Sequence, residues 1–188
     1  MFQRLAIPDV FVFTPKRLGD DRGFFVETYA RKVLEPMTGP LDWVQDNHSR
    51  SNPKGTLRGL HFQAPPFAQD KLVRCVRGSI LDVAVDVRYG SPTFGQHVCA
   101  KLTESGGEQI FAPKGFAHGF VTLEDGCEVI YKVTNYYSAA HDRGVRWNDP
   151  ALGINWGFAE KDVTLSPRDA ALPMLADTGV HFRYGQME

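Results

Sequence analysis

The sequence predicts an all-β fold, a sandwich or jelly roll with a few short helices, that occupies residues 1–188 as a single domain. Apolar residues recur with a period of two rather than 3.6, which is typical of strands that lay one face on a core. Turns rich in glycine and proline separate these short runs, as they do in sandwiches and jelly rolls. A chain of 188 residues is long enough to bury its own core without metal or disulfide staples.

Run 79–88 shows the alternation most clearly. Leu81, Val83 and Val85 fall on one face, which we expect to meet an apolar core. Asp82 and Asp86 fall on the other face, which we expect to meet polar groups. Similar strand-like runs occur at 7–13, 24–29, 43–49, 71–77, 97–102, 109–112, 116–123 and 128–133. Helix is expected only at 31–34 and 167–171, and 176–188, which lacks a clear period, is expected to be a loosely held tail.

Charge and cysteine content exclude several classes of partner. The 21 basic and 22 acidic side chains give a formal charge of −1, which argues against nucleic-acid binding. The three cysteines, Cys75, Cys99 and Cys127, form no CxxC pair and indicate a reducing compartment. No run of about 20 apolar residues is present, so no membrane association is expected. The expectation is a soluble cytoplasmic protein.

His61 is the first candidate for chemistry, because it lies in a β-forming run between Arg58 and Lys71. An unperturbed imidazole titrates near pH 6.5, so modest tuning makes it a proton acceptor at working pH. A base among cations suits a substrate that becomes more anionic as a proton leaves. Taken alone, however, a strand histidine is better explained as a packed residue.

His118 raises the question of a metal. It is the last residue of a P-x-G-x-x-H run at 113–118 that resembles the second motif of cupins, where the histidine often binds a metal. The counterpart of the first motif has Gln63 where a second histidine would stand, and none of the six histidines is paired at i, i+2 or i, i+4. A catalytic metal is therefore not expected, although a site built from distant strands stays open.

Three further side chains have an ordinary and a chemical interpretation. Lys71 at a strand start is either a solvated edge charge or, inside a cleft, a stabiliser of an oxyanion. Tyr131 at mid-strand is either a packing residue or a general acid that faces a base across a substrate. Asp169, near the start of the second predicted helix, is by itself an ordinary helix-start acid.

In combination these runs resemble the dTDP-4-dehydrorhamnose 3,5-epimerase family, a cofactor-free branch of the cupin jelly rolls. The resemblance extends from about residue 9 to 174. It rests, in order, on residues 21–27, 45–49, 57–63, 71–74, 82–86, 115–120, 131–132, 143–147 and 165–169. Each run is weak alone, whereas the order and spacing together are specific. The fold that this implies is a cupin-type jelly roll.

The resemblance implies proton removal next to a ketone. In the family's substrate, a thymidine-diphosphate-linked 4-keto-6-deoxyhexose, C3 and C5 both flank the C4 carbonyl. By resemblance, His61 is the base and Asp169 orients it and supports its imidazolium. Lys71 stabilises the enolate oxygen, and Tyr131 returns a proton from the opposite face. No cofactor is implied, because the substrate's own ketone is the electron sink.

The resemblance also implies a substrate-binding set, in which His118 lines the sugar pocket. The set is Arg22, Phe24, Glu27, Gln45, Asp46, Asn47, Arg58, His118, Tyr137, Asp142 and Arg168. Family members are dimers that exchange an N-terminal strand, so a homodimer is implied in which Arg22 and Glu27 serve the partner's site. Asp142 stands where family members often have glutamate.

Three other functions stay open. The first is an epimerase acting at C3 or C5 alone, or on another sugar or nucleotide. The second is a non-catalytic cupin that only binds such a ligand, although a pure binding module needs no acid–base pair. The third is a metal-dependent cupin oxygenase.

One local expectation concerns the backbone at Gly59. Strict alternation would place Arg58 and His61 on opposite faces of a strand, yet both should line one pocket. We therefore predict a β-bulge or an irregular bend near Gly59, where glycine readily allows one.

Overall fold

A computed structural model of the protein describes residues 1–186 and contains fifteen strands over that range. The strands are β1 (Phe2–Arg4), β2 (Phe11–Phe13), β3 (Arg17–Asp20), β4 (Gly23–Val26), β5 (Gln45–Ser51), β6 (Leu57–Gln63), β7 (Lys71–Arg77), β8 (Ser79–Asp86), β9 (Arg88–Tyr89), β10 (His97–Thr103), β11 (Gln109–Ala112), β12 (Phe116–Thr122), β13 (Cys127–Val133), β14 (Asp142–Gly144) and β15 (Phe182–Arg183). The helices are α1 (Arg31–Thr38) and α2 (Pro167–Ala170), with single 3-10 turns at Ala139–His141, Glu160–Asp162 and Leu175–Asp177.

Two facing antiparallel sheets form a sandwich and confirm the predicted all-β fold. The six-stranded sheet has the order β1-β2-β11-β7-β13-β5, and the five-stranded sheet has the order β10-β8-β12-β6-β14. Apolar side chains from both sheets fill the space between them, for example Val73, Ile110 and Val129 from the first and Ile80 and Phe120 from the second. The strand alternation seen in the sequence therefore produces the layer in which the site is set.

The outer faces of both sheets are also covered. Helix α1 packs Leu34 onto Phe11 and Phe111 of the six-stranded sheet. This packing extends the helix through Pro36 to Thr38, beyond the 31–34 expected from the sequence. On the other side, Trp147 and Trp156 pack with the outward residues of the five-stranded sheet. No helix within residues 1–186 is both long and apolar enough to cross a membrane.

Strand β8 is buried on both faces, which explains its polar residues. Val83 and Val85 lie in an apolar cluster as predicted. Asp82 and Asp86 on the other face are each 0% exposed. Both have polar partners: Asp82 bonds to His118, and Asp86 accepts hydrogen bonds from Arg88. The polar face is thus an interior one, as expected for buried carboxylates that are hydrogen-bonded.

The expectation of a loose tail over 176–188 is wrong for its described part. Strand β15 pairs in parallel with β9, and Phe182 is 5% exposed. The Phe182 ring lies 5.7 Å from that of Phe62 between centroids. Burial of one aromatic side chain is enough to hold a segment that shows no period of its own. Residues 187 and 188 lie outside the described range.

The bulge predicted near Gly59 is confirmed. Strand β6 pairs with β12 so that His61 lies opposite His118 and Arg58 lies opposite Phe120. Three residue steps along β6, from Arg58 to His61, thus span the same length as two along β12. The extra residue in β6 turns the side chains of Arg58 and His61 to the same face. Gly59 has a φ of +117°, a conformation that favours glycine. Arg58 and His61 consequently line the same cavity.

Candidate active site

A cleft with two connected lobes lies between the sheets. The larger lobe, of about 310 Å³, is lined by Ser49, Arg58, His61, Lys71, His118, Phe120, Tyr131, Ser166, Arg168 and Asp169. The smaller lobe, of about 170 Å³, is lined by Gln45, Asn47, His61, Phe62, Gln63, Gln69, Lys71, Tyr131, Tyr137, Asp142 and Arg168. Four side chains line both lobes and so mark their junction, namely His61, Lys71, Tyr131 and Arg168. Most of the predicted site residues are thereby brought together.

His61 and Asp169 form a hydrogen-bonded pair at this junction. The His61 Nε2 lies 2.5 Å from Asp169 Oδ1, although the two residues are far apart in sequence. Ser166 caps α2, because its Oγ accepts the Asp169 N–H at 3.0 Å, and this fixes the start of the helix that carries Asp169. With Nε2 on the carboxylate, Nδ1 is the nitrogen left to accept a proton from a substrate.

The environment of Asp169 keeps it ionised. Burial alone would raise its pKa, but the hydrogen bond from His61 and the His61 charge lower it, as does the bond from Ser166. The net result is an Asp169 pKa below the ordinary value of an aspartate. An ionised carboxylate on Nε2 both sets the tautomer of the ring and stabilises the imidazolium that forms when Nδ1 takes a proton.

Lys71 is a cleft residue and not a solvated edge charge. Its Nζ donates a hydrogen bond to the His61 carbonyl oxygen at 3.2 Å, and the side chain is partly buried. Burial lowers the pKa of Lys71 to about 8, with Asp142 and Asp82 opposing the shift and Arg168 adding to it. Below that pH the ammonium is a positive charge held inside the cleft, where it can stabilise an oxyanion.

Tyr131 faces His61 from the opposite sheet. Tyr131 lies on β13 of the six-stranded sheet, whereas His61 lies on β6 of the five-stranded sheet. Burial raises the pKa of Tyr131, an effect that Arg58 opposes and Asp142 reinforces. The phenol is therefore protonated near neutral pH and can donate its proton. A ring bound between the sheets would have the base on one face and the acid on the other.

His118 lines the larger lobe and forms a second histidine–aspartate pair, with the buried Asp82. His118 Nε2 lies 2.9 Å from both carboxylate oxygens of Asp82. Burial raises the pKa of Asp82, while the His118 charge, its hydrogen bond and the Lys71 charge oppose that rise. Asp82 was not among the residues assigned from the sequence, and its place in a buried strand next to apolar neighbours was the one signal for it.

Gln63 has a structural role at the position where metal-binding cupins supply a ligand. Its side-chain amide donates to the carbonyls of Phe67 and Tyr136, and its Oε1 accepts the Ser138 N–H. These bonds use the side chain to join the loop between β6 and β7 to the loop after β13. Within residues 1–186, no group of three or more His, Cys, Asp or Glu side chains is placed to hold a metal ion.

Two hydrogen bonds hold the Arg58 side chain in place at the cleft. Its Nε donates to Ser51 Oγ and its Nη2 to the Arg50 carbonyl, both at 3.1 Å. These bonds orient the guanidinium while leaving other N–H groups directed to the cavity. A fixed guanidinium is well suited to bind phosphate oxygens in a bidentate manner.

Asp142 connects the mouth of the cleft to α2. Its Oδ2 lies 2.7 Å from Arg168 Nη2 and accepts the Tyr137 hydroxyl at 3.0 Å. Next to these groups, Gln45 donates to Asn47 Oδ1 at 2.8 Å. With its other lining residues, the smaller lobe thus presents an arginine, four side-chain amides and two phenols, groups that can form hydrogen bonds to a nucleotide.

Four of the predicted binding residues lie outside the cleft. Asp46 points away from it and pairs with Lys132 at 2.9 Å, because neighbouring strand residues face opposite sides. Arg22, Phe24 and Glu27 lie on or just after the exposed hairpin β3–β4. Arg22 pairs with Asp20 there, and the Arg17 guanidinium carbon lies 3.7 Å from the centre of the Phe24 ring.

Six residues that line the cleft were not among the site residues predicted from the sequence, namely Ser49, Phe62, Gln63, Gln69, Phe120 and Ser166. Ser49 continues the alternation of Gln45 and Asn47 along β5, and could have been found from it. Phe120 follows His118 at the same-face spacing on β12. Ser166 was visible only as a helix cap.

Comparisons with known proteins agree with this geometry. A model of the family described as dTDP-4-dehydrorhamnose 3,5-epimerase matches residues 4–177. The Sinorhizobium fredii dTDP-4-dehydrorhamnose 3,5-epimerase is 50% identical over 97% of this chain and 93% of its own. The Legionella pneumophila dTDP-6-deoxy-D-glucose-3,5-epimerase, solved with dTDP-4-keto-L-rhamnose, is 42% identical, with a TM-score of 0.93 and 98% of each chain covered.

A more distant relative has a narrower activity. The Streptomyces bikiniensis 3'-monoepimerase, solved with dTDP-quinovose, is 32% identical, with a TM-score of 0.85, over 93% of this chain and 87% of its own. The likeness to these solved structures confirms the cupin-type jelly roll. The chain belongs to the dTDP-4-dehydrorhamnose 3,5-epimerase family.

Proposed function

We propose that this protein converts dTDP-4-dehydro-6-deoxy-D-glucose into dTDP-4-dehydro-L-rhamnose by inverting C3 and C5. The observation that carries the proposal is the placement of His61 and Tyr131 on facing sheets at one cleft junction. Inversion requires that a proton leave one face of a carbon and return to the other. The names of the relatives in the family support the same substrate.

The first step is removal of a proton from a carbon next to the C4 ketone. His61 Nδ1 takes the proton, and the electron pair of the C–H bond moves into the carbonyl to give an enolate. The Lys71 ammonium balances the charge on the enolate oxygen, while Asp169 balances the charge on the imidazolium. Because the ketone itself accepts the electron pair, this route needs no cofactor.

The second step is proton return from the other sheet. Tyr131 gives its phenolic proton to the opposite face of the same carbon, the enolate collapses to the ketone, and exchange with water resets both side chains. Each positioned proton-transfer group typically contributes about 10²–10⁴-fold to the rate. The same sequence at the second carbon completes the conversion.

The remaining cleft residues hold the nucleotide half in this proposal. Arg58 and Arg168 bind the diphosphate, because a guanidinium matches phosphate geometry. The amides of Gln45 and Asn47 and the ring of Tyr137 line the smaller lobe, where the nucleoside fits. His118 contacts the sugar in the larger lobe.

An epimerase that acts at one carbon is the second candidate, because a 3'-monoepimerase shares this fold. Incubation of the protein with dTDP-4-dehydro-6-deoxy-D-glucose in D₂O, followed by NMR, separates the two. Deuterium at both C3 and C5 supports the proposal, whereas deuterium at one carbon selects the second candidate. Absence of exchange at either carbon rejects an epimerase for this substrate.

We further propose a homodimer in which each hairpin β3–β4 completes the partner's site. The hairpin is paired with no other strand of residues 1–186, and Phe24 and Phe25 on it are 60% and 66% exposed. Apolar side chains so exposed on one arm suit contact with a second copy. Arg22 and Glu27 would then reach a cleft that they do not reach within their own chain.

Mixing two variants, each expected to lack a different part of the site, tests this exchange. If Arg22→Ala and His61→Asn chains are mixed and allowed to reassociate, each mixed dimer should contain one complete site, so activity should return. Each variant incubated alone under the same conditions is the control. Activity that stays at the level of the separate variants, in samples shown to contain mixed dimers, would reject the exchanged arm.

The alkaline side of the pH profile should report Lys71. Because the Lys71 pKa is lowered to about 8, its positive charge is present below that pH and is lost as the pH rises through it. We expect kcat/KM of the free enzyme to fall with an apparent pKa of about 8. Burial raises the pKa of Tyr131, so the phenol does not account for this limb.

In the Lys71→Arg variant, the alkaline fall of kcat/KM should move to a pH above the measured range, since a guanidinium stays charged. The maximum kcat/KM of this variant should be lower than that of the wild type. Lys132→Arg, outside the cleft, is the matched control and should keep the limb in place. An unchanged limb in the Lys71→Arg variant would assign it to another group.

A further inference from the structure

Phe120 differs in kind from its neighbours in the larger lobe. Every other side chain that lines this lobe carries a polar or charged group, whereas Phe120 offers only hydrocarbon. It is 5% exposed and packs in the core between the sheets, against residues such as Ile80 and Val98. The ring is therefore a fixed apolar wall in an otherwise polar cavity.

The position of this wall relative to the base is set by strand register. His118 lies opposite His61, and Phe120 follows His118 on the same face of β12, about 7 Å along the strand. The wall therefore lies one side-chain position away from the point where His61 meets the sugar ring. A substituent on a carbon that His61 deprotonates is within its reach.

The sugar ring of the substrate has one hydrocarbon substituent, the C6 methyl group, and it is attached to C5. We propose that Phe120 receives this methyl group and thereby makes the enzyme select 6-deoxy sugars over sugars with a hydroxyl on C6. The inference rests on the proposed function, since it names the part of the proposed substrate that Phe120 contacts. Phe120 is thus a specificity-determining residue in addition to those that move protons.

The expected selectivity follows from the cost of placing a hydroxyl against a phenyl ring. An apolar surface offers the hydroxyl no hydrogen-bond partner, and it loses those it had in water. Apolar pockets reject an added hydroxyl by about 10²-fold in kcat/KM. Loss of this wall should reduce the selectivity by about tenfold, the lower range for an altered apolar contact.

The test compares two substrates, dTDP-4-dehydro-6-deoxy-D-glucose and the same nucleotide sugar with a hydroxyl on C6. The measured quantity is the ratio of their kcat/KM values. Phe120→Gln replaces the wall by a polar side chain of similar reach. Phe120→Leu draws the apolar surface back, so that water can reach a C6 hydroxyl, with less risk to folding. Phe116→Leu is the matched control, because Phe116 lies on the same strand and in the same core but does not line the cavity.

We expect the ratio to fall in both Phe120 variants and to stay at the wild-type value in Phe116→Leu. If Phe120→Gln does not fold, Phe120→Leu decides. An unchanged ratio in Phe120→Leu, with equal losses for both substrates, would show that Phe120 serves only the core and would overturn the inference. A wild-type protein that does not turn over the 6-deoxy substrate would instead reject the proposed function.

Discussion

Replacement of His61 by asparagine should lower kcat/KM for epimerisation by about 10³–10⁴-fold, toward the upper end of what one general base contributes. Asparagine occupies similar space but cannot accept a proton near neutral pH. Asp169 would then lose the ring that it orients. Deuterium incorporation from D₂O should stop at every carbon that the wild type exchanges, because the carbon acid has no base.

A matched control is His48→Asn. His48 lies on the outward face of β5 and bonds to Glu128, so it shares no contact with the cleft. Thermal unfolding of both variants should stay near that of the wild type. A folded His61→Asn protein that still exchanges deuterium at the wild-type rate would assign the base to another residue, and His118 would be the first to examine.

The Tyr131→Phe variant should separate exchange from inversion. His61 still removes the proton and the enolate still forms, so deuterium enters the substrate. Without a proton donor on the six-stranded sheet, the deuteron returns to the face it left, and the recovered sugar is labelled but not inverted. Formation of the inverted product should fall by about 10²–10⁴-fold, the contribution of one general acid.

NMR of the recovered substrate and product measures both quantities in one sample. Tyr137→Phe is the control, because Tyr137 lines the smaller lobe and bonds to Asp142 but does not face His61 across the junction. It should weaken binding and leave the ratio of exchange to inversion unchanged. A parallel loss of exchange and inversion in Tyr131→Phe would mean that Tyr131 is needed for the first step as well.

The strands were readable from the sequence because their cause is local. The run 71–77 and the run 109–112 coincide with β7 and β11, where alternation and flanking turns act over a few residues. Helix α1 was predicted too short, since its last turn depends on packing against a sheet and not on the propensity of Pro36. The prediction of a loose tail was wrong for the same reason, because side chains distant in sequence hold Phe182.

The site residues also fall into those that could be predicted from the sequence and those that depend on contacts between distant parts of the chain. His61, Lys71, Tyr131 and Asp169 could be named through resemblance, and the bulge through the conflict between spacing and role. Asp82 could not be paired with His118 from the sequence, because the register of β8 against β12 decides that contact. The selectivity assigned to Phe120 was hidden likewise, since whether a buried phenylalanine touches a cavity depends on which side chains surround it in space.

The bulge at Gly59 has a consequence for which substitutions this strand pair can tolerate. A Cβ on Gly59 would stand 2.7 Å from Gly119 Cα and from the His118 carbonyl oxygen. A Cβ on Gly119 would stand 2.7 Å from the Arg58 carbonyl oxygen. Each glycine therefore faces backbone at its shortest contacts, and a smaller residue in place of Leu60, whose Cδ2 would lie 3.2 Å from a Cβ on Gly119, would leave those contacts in place. No second substitution relieves these backbone contacts, so we expect neither glycine to be replaced by a larger residue. The close approach of the two strands at Gly59 and Gly119 thereby fixes the spacing between His61 and His118.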